Sequence, residues 1–317
     1  MRTIEGRKIA IVGAGNVGAT VAYAMAIRQI CNELVLIDVN REKAEGEARD
    51  IRHGLSYMDR LKIYAGDYSD IKGSDIIVIT AGAGRKPGET RMDLAEKNVR
   101  IAKAMTESIM EHYDGGLILV ISNPVDVLTY HVSKWTGLPR GTVVGSGTVL
   151  DGIRLRTLLF DKFNIGMKNI YAYVFGEHGE TQFPAWSFSR ISGFSIDDYC
   201  KASGIEFTEK EKFEMGELNK KAGAEVIKRK GATFYSIGIV ATELCTSFLN
   251  DRNIIYTVGC VLDGEYGLHD TVVSVPCIVG SEGIEKVLEV QLPPNELELL
   301  RKSGAAVRSV IDLTKNI

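Results

Sequence analysis

The chain is short of several features that would each have pointed to a particular class of protein. It has five cysteines among 317 residues, at 31, 200, 245, 260 and 277, an odd number at wide spacing with no CxxC. Structural zinc and a disulfide framework are therefore not expected, and free buried thiols in a reducing cytoplasm are. No apolar run approaches the roughly 18 residues a spanning helix needs. The opening MRTIEGRKIAIVG lacks the h-region and small-residue cleavage site of a secretory signal. Neither sign of charge dominates: 38 Lys and Arg against 41 Asp and Glu give −3, so neither nucleic acid nor a membrane is an expected partner. Histidine is scarce, with no His, Cys or carboxylate cluster at ligand spacing, so no metal site is expected.

Glycine is plentiful, and it punctuates a regular alternation. Lys8–Val12 (KIAIV), Leu34–Val39, Ile76–Thr80 and Leu117–Ser122 are short, nearly all-apolar strands, and Val143–Val144 marks another. Helical segments lie between them: Val17, Val21 and Met25 share one face, dense helix formers fill 41–53, and Leu94, Ile101, Met105 and Ile109 mark a long helix. Apolar strands alternating with helices predict a parallel sheet covered on both faces, the doubly wound α/β (Rossmann) arrangement. Residues 1–146 are expected to form that domain. Its ligands should bind outside the carboxyl ends of the strands.

Residues 147–317 read as an α+β domain. Thr208–Glu211 fits a capping box opening a helix with Phe213, Leu218, Ala222 and Val226 inward, and a further helix covers 232–249. Strand-like runs at 254–262 and 271–279 joined through Asp263-Gly264 predict antiparallel strands. Asn295 is expected to cap a last helix with Leu299, Leu300, Val307 and Ile311 apolar. Long linkers are absent, so the two halves should pack together.

GAGNVG places Gly13, Gly15 and Gly18 between the first strand and the first helix. Gly13 permits the tight turn, Gly15 a close approach of pyrophosphate to the backbone, and Gly18 tight helix–strand packing, with the helix N-terminus facing the phosphates. Asp38 ends the second strand 20 residues beyond Gly18. A carboxylate there accepts from a ribose diol and repels a 2′-phosphate, which favours NAD over NADP.

Hydride exchange between a nicotinamide and a secondary alcohol needs a proton acceptor, a task suited to histidine. His53, His112 and His131 sit in or beside predicted helices and His269 in the loop between the antiparallel strands. His178 alone lies between glycines after an apolar strand. It is the candidate base, with a structural histidine as the alternative.

Six motifs, GAGNVGAT, TAGAGRKPGETR, ISNPVD, GSGTVLDGIR, GEHGET and KGATFY, run the length of the chain. Together they resemble the L-lactate dehydrogenase branch of the lactate/malate dehydrogenase family. That resemblance implies an NAD-dependent dehydrogenase exchanging a small 2-keto acid and its L-2-hydroxy acid, in a cytoplasmic homo-oligomer, a tetramer or dimer. It implies His178 as general acid/base oriented by Asp151, Arg154 as clamp for the substrate carboxylate, and Arg91 as polariser of the carbonyl. Asn123 would bind near the carbonyl, and Asn16, Val17, Ala81, Gly82, Asn98 and Asn123 would join Gly13, Gly15, Gly18 and Asp38 around the cofactor. Lysine could not supply the two parallel N–H bonds expected of Arg154.

Three positions depart from the branch. Arg85 stands where an uncharged side chain is usual, and it offers a partner to a second carboxylate, which favours malate and oxaloacetate over lactate and pyruvate. Cys245 is aligned with a threonine of the substrate pocket. In relatives activated by fructose 1,6-bisphosphate an arginine pairs with a histidine; Arg156 matches the first, but Tyr171 replaces the second, so activation is not expected. A non-catalytic dinucleotide sensor would not need His178, Asp151, Arg154 and Arg91 together. A dehydrogenase for bulkier hydroxy acids would not suit Arg85.

Overall fold

The computed structural model describes residues 6–57, 61–84, 88 and 90–317, with the backbone alone at Arg91. The first half alternates as β1 (Lys8–Val12), α1 (Asn16–Arg28), β2 (Glu33–Ile37), α2 (Arg41–Gly54), β3 (Lys62–Ala65), β4 (Ile76–Ile79), α3 (Arg91–Met110), β5 (Leu117–Val120), α4 (Val125–Thr136) and β6 (Val143–Gly145). These six strands are parallel and ordered β3-β2-β1-β4-β5-β6. That is the doubly wound order, whose reversal between β1 and β4 opens a crevice at the strands' carboxyl ends. Both faces are covered, and Ile9, Ile11, Leu34, Leu36, Ile77 and Ile79 have no accessible surface.

The second half continues as α5 (Val149–Phe163), β7 (Ile170–Tyr171), β8 (Val174–Phe175), β9 (Phe183–Pro184), β10 (Arg190–Ile191), β11 (Phe194–Ser195), α6 (Ile196–Ser203), α7 (Glu209–Lys230), α8 (Tyr235–Leu249), β12 (Ile254–Asp263), β13 (His269–Gly280), β14 (Gly283–Val287) and α9 (Pro294–Thr314). The expected antiparallel pair is β12 and β13, and it does not stand apart. β12 joins β6 through Gly259 and Gly145, so one nine-stranded mixed sheet runs through both halves. A shared apolar core follows from that continuity. A smaller cluster, including Leu155, Leu159, Phe163, Ile170 and Phe207, fills the space beneath α5.

Several helices present faces other than those expected. The capping box at Thr208 and Glu211 is formed, but Phe213, Leu218 and Val226 turn outward, 70%, 60% and 39% exposed. The side of α7 facing the protein carries small residues instead: Gly216 meets Pro184, and Gly223 meets Arg154. Periodicity reports that a helix has an apolar face, not what covers it. In α3 the buried row is Ala95, Val99, Ala102, Met105 and Ile109, with Leu94 and Ile101 half-buried. Pro293 rather than Asn295 caps α9, with Pro294 at its first position, where a missing N–H costs nothing. Leu299 is exposed while Leu300, Val307 and Ile311 are buried.

Candidate active site

The glycine turn between β1 and α1 is built around a tight fit on one side and open space on the other. Gly13 has φ +107°, and a Cβ there would lie 2.5 Å from the Ala81 nitrogen; at Gly18 it would overlap the Gly13 carbonyl oxygen. A Cβ at Gly15 would meet nothing within 4 Å, and no side chain caps the α1 N–H groups that Asn16 and Val17 begin. Unpaired donors at a helix N-terminus beside open space are what an anionic pyrophosphate requires. Asp38 follows β2, its carboxylate held by the N–H groups of Ala14 at 2.6 Å and Asn40 at 2.8 Å. The cradle thus fits an adenine dinucleotide.

The strand beside the turn continues the cradle. Thr80 donates to the Gly13 carbonyl at 2.7 Å and Ser122 to the Ala81 carbonyl at 2.6 Å. Asn98, buried on α3, accepts from the Ala83 N–H at 2.8 Å and donates to the Asn123 carbonyl at 2.7 Å. So Ala81, Asn98 and Asn123 lie in one hydrogen-bonded frame at the carboxyl ends of β4 and β5, with Gly82 packed beside Asn98. The Asn123–Pro124 peptide is cis.

His178 lies in the loop between β8 and β9, and α5 reaches it from below. The Thr148 hydroxyl at the start of α5 is not spent on capping; it donates to the Val174 carbonyl, while its N–H donates to Ser274 at 3.0 Å. This ties the start of α5 to β8 and sets Asp151 under the histidine. Asp151, 1% exposed, has one oxygen 2.6 Å from His178 Nδ1 and the other 3.0 Å from an Arg154 guanidinium nitrogen. Burial works to raise the Asp151 pKa, but the charges of His178 and Arg154 outweigh it and hold the carboxyl below its ordinary value. Burial likewise works to lower the His178 pKa, yet the Asp151 charge prevails and the net shift is upward. An ionised carboxylate can only accept, so Nδ1 carries the hydrogen and Nε2 is left for proton exchange. Arg154 is 18% exposed. A guanidinium and a titrating imidazole held by one buried carboxylate can bind an anion and transfer a proton beside it.

The rest of the loop is held from the opposite side. The buried Ser303 of α9 accepts the Glu177 N–H at 2.7 Å and bonds the Thr181 hydroxyl at 2.7 Å. The buried Asp126 of α4 accepts the His178 N–H at 2.7 Å. Sequence reasoning missed both residues. Asp126 lies in ISNPVD and could have been weighed there, whereas Ser303, more than 120 positions from its partners, carries no local signal.

Not every expected residue joins the cluster. Arg85 lies outside the described residues, and Arg91 is described only as the first residue of α3, behind the Thr90–Asp93 capping box. Cys245 is elsewhere. Helices α1 and α8 run side by side in the same direction, with Gly238 against Thr20 and Glu243 bonded to Arg28. The amino end of α8 therefore lies at the site end, and Cys245, fully buried, sits toward the other, within reach of Cys31 ahead of β2. Placing it in the substrate pocket was an error of register, and Thr233, just before α8 in KGATFY, is at the site end instead. Among the remaining histidines, His131 is structural: buried, 2.8 Å from Thr314 and stacked on Trp135, its pKa pushed down to about 4 by burial. His269 is 68% exposed.

Comparison with known proteins agrees with this geometry. Residues 7–145 match the NAD binding domain of lactate/malate dehydrogenase, and residues 148–317 match that family's alpha/beta C-terminal domain. The chain is 44% identical to an L-lactate dehydrogenase of Priestia megaterium over 98% of its length and 97% of the relative's. It is 42% identical to one of Acetivibrio thermocellus, over 96% of each chain. Among solved structures, the ligand-bound minor L-lactate dehydrogenase of Enterococcus mundtii superimposes with TM-score 0.94 at 36% identity, covering 97% of this chain and 98% of that one. An L-lactate dehydrogenase from Clostridium thermocellum is 48% identical with TM-score 0.86, covering 98% and 99%.

Proposed function

The chain belongs to the lactate/malate dehydrogenase family as an NAD-dependent 2-hydroxy-acid dehydrogenase, and we propose that its reaction is the interconversion of L-lactate and pyruvate. Asp151 joining His178 and Arg154 supports the 2-hydroxy-acid chemistry, and the choice of lactate rests on the relatives, which are L-lactate dehydrogenases. NAD, when bound, takes up or returns the hydride. The protein supplies everything else. Arg154 pairs with the carboxylate of the 2-keto acid through two N–H groups. His178 gives its Nε2 proton to the carbonyl oxygen during reduction and takes one from the hydroxyl during oxidation, and Asp151 stabilises the imidazolium. Arg91 lends positive charge to the carbonyl oxygen as negative charge develops there. Asn123 bonds near that oxygen, and Asp38 accepts from the adenosine ribose.

The lean toward malate that Arg85 suggests finds no support in the relatives named above, each an L-lactate dehydrogenase. It stands as a second reading, resting on that one side chain, and requires oxaloacetate to be the better substrate. We also infer that the chain works as a homo-oligomer, a dimer or tetramer. In the single chain Tyr23 and Ile27 on α1 and Tyr235 and Ile239 on the adjacent α8 are 50–66% exposed, as are Phe213 and Leu218 on α7 or more so. Such apolar surface suits a copy of the same chain.

The test is oxidation of NADH by purified protein with pyruvate. Turnover by the native chain, abolished in His178→Asn with NADH binding retained by fluorescence, supports the reading. Full turnover in that variant would remove His178 from the reaction.

A further inference from the structure

One end of the large sheet curls back on itself. β14 is its outer strand, separated from β6 by β12 and β13, yet the Ile284 N–H donates to the Gly141 carbonyl, just ahead of β6, at 3.0 Å. Gly283 comes so close that a Cβ there would lie 2.2 Å from the same oxygen. The curl brings together side chains that a flat sheet would hold apart. Cys260 on β12 pairs with Val273 on β13, and Cys277 lies on the same face four residues further along. In a flat ladder that offset is about 13 Å. Here the two thiols, both buried, are hydrogen-bonded to each other.

A cation reaches this pair from the surface. Arg140, 44% exposed, donates to the Val261 carbonyl at 2.8 Å and to Glu265 at 2.7 Å, and one guanidinium nitrogen lies 4.0 Å from the Cys260 sulfur. With Pro139, Gly141, Val261 and Leu262 it lines a pocket open to solvent, wide enough for a small oxidant. We propose that Cys260 and Cys277 are a peroxide-reactive pair that closes to an internal disulfide, with Arg140 stabilising the attacking thiolate. The hydrogen bond from Cys277 and the Arg140 charge hold the Cys260 thiol below its ordinary pKa despite burial, and Cys277 is raised in return. By contrast, burial pushes the Cys31 thiol up to about 12 and raises Cys245 as well. The thiolate is the nucleophile, so Cys260 is the thiol prepared to react.

The step balances with hydrogen peroxide as oxidant. The Cys260 sulfur attacks one peroxide oxygen, the O–O bond breaks, and hydroxide leaves as water with the proton Cys260 gave up. The sulfur is then a sulfenic acid. Cys277 attacks that sulfur, the S–O bond breaks, and the second hydroxide takes the Cys277 proton. Two thiols are oxidised to one disulfide, and one peroxide is reduced to two waters. The link lies behind the catalytic loop: Gly259, beside Cys260, pairs with Gly145, and Ser274, beside Val273, exchanges two main-chain bonds with Gly176.

The test is to treat the purified native chain with hydrogen peroxide, alkylate the remaining thiols after denaturation, and map the peptides by mass spectrometry. The expected product is a Cys260–Cys277 link within one chain, lighter by two hydrogens and reversed by dithiothreitol, with Cys31 and Cys245 still alkylated. Cys277→Ser should stop at a Cys260 sulfenic acid that dimedone traps. Arg140→Met should slow closure about tenfold, the effect of one pKa unit on the thiolate population. Cys260 and Cys277 both recovered alkylated at peroxide doses that oxidise the partly exposed Cys200 would overturn the proposal. So would a Cys260 linked to another cysteine or to a second chain, or closure at the native rate in Arg140→Met. Should either variant not fold, the peptide map of the native chain decides alone.

Discussion

Replacing Asp151 by asparagine strikes the group on which the site is assembled. Its two oxygens serve two cations at once, His178 at 2.6 Å and Arg154 at 3.0 Å, and it is 1% exposed, so water cannot replace what is lost. An asparagine has one acceptor oxygen. If that oxygen keeps the Nδ1 hydrogen, the amide NH2 faces the guanidinium; if it turns to Arg154, the NH2 faces Nδ1 and favours the wrong tautomer. Either way one charge-assisted bond goes, worth about 1.5–3 kcal/mol, or roughly 10- to 150-fold in kcat/KM for pyruvate. The lost charge also lowers the His178 pKa, which Asp151 otherwise raises. With His178 as the proposed proton donor, reduction uses its protonated form, so activity should fall away at lower pH than in the native enzyme; oxidation uses the neutral form, so its acidic limb should move down as well. Stopped-flow and steady-state rates in both directions across pH would measure this. A variant within threefold of native kcat/KM, with both limbs in place, would refute the reasoning.

Asp38→Ser removes the carboxylate that the Ala14 and Asn40 N–H groups hold, so kcat/KM with NADH should fall about tenfold while that with NADPH rises. Cys245→Ala should leave kcat/KM within about twofold and lower Tm through the small cavity it creates, since the residue is buried away from the site. His131 is held neutral in the fold, its pKa depressed from 6.5 to about 4; the unfolded chain binds that proton more readily, so stability should decline as pH falls from 6.5 toward 4, and His131→Gln should flatten this slope in urea melts. Ser303→Ala leaves the half-buried Glu177 N–H without its acceptor and should cost about 1 kcal/mol in urea unfolding, with a slower chemical step.

Much of this was legible in the sequence because it is local. Short apolar strands followed by glycine turns announced the parallel sheet, and GAGNVG with Asp38 fell where β1, α1 and β2 place them. Asp151 and Arg154 are three apart on one helix, so their shared side needed no tertiary knowledge. What escaped depends on which surfaces meet. The apolar row on α7 was real, but no described residue buries Phe213, Leu218 or Val226, and small residues face inward instead. Nothing local shows that β12 extends the parallel sheet through Gly259, or that Ser303 of α9 pins the His178 loop. Cys245 was misplaced because α8 is fifteen residues long and its two ends lie at opposite ends of the sheet; tertiary contacts such as Gly238–Thr20, Glu243–Arg28 and Arg7–Leu249 fix its direction.

The most direct measurement is NADH oxidation with pyruvate and with oxaloacetate under identical conditions, compared as kcat/KM. The account predicts that pyruvate is preferred by about tenfold or more, the size of one well-placed polar or apolar contact in a substrate pocket. A preference for oxaloacetate would contradict it and transfer the reaction to the malate reading that Arg85 suggests.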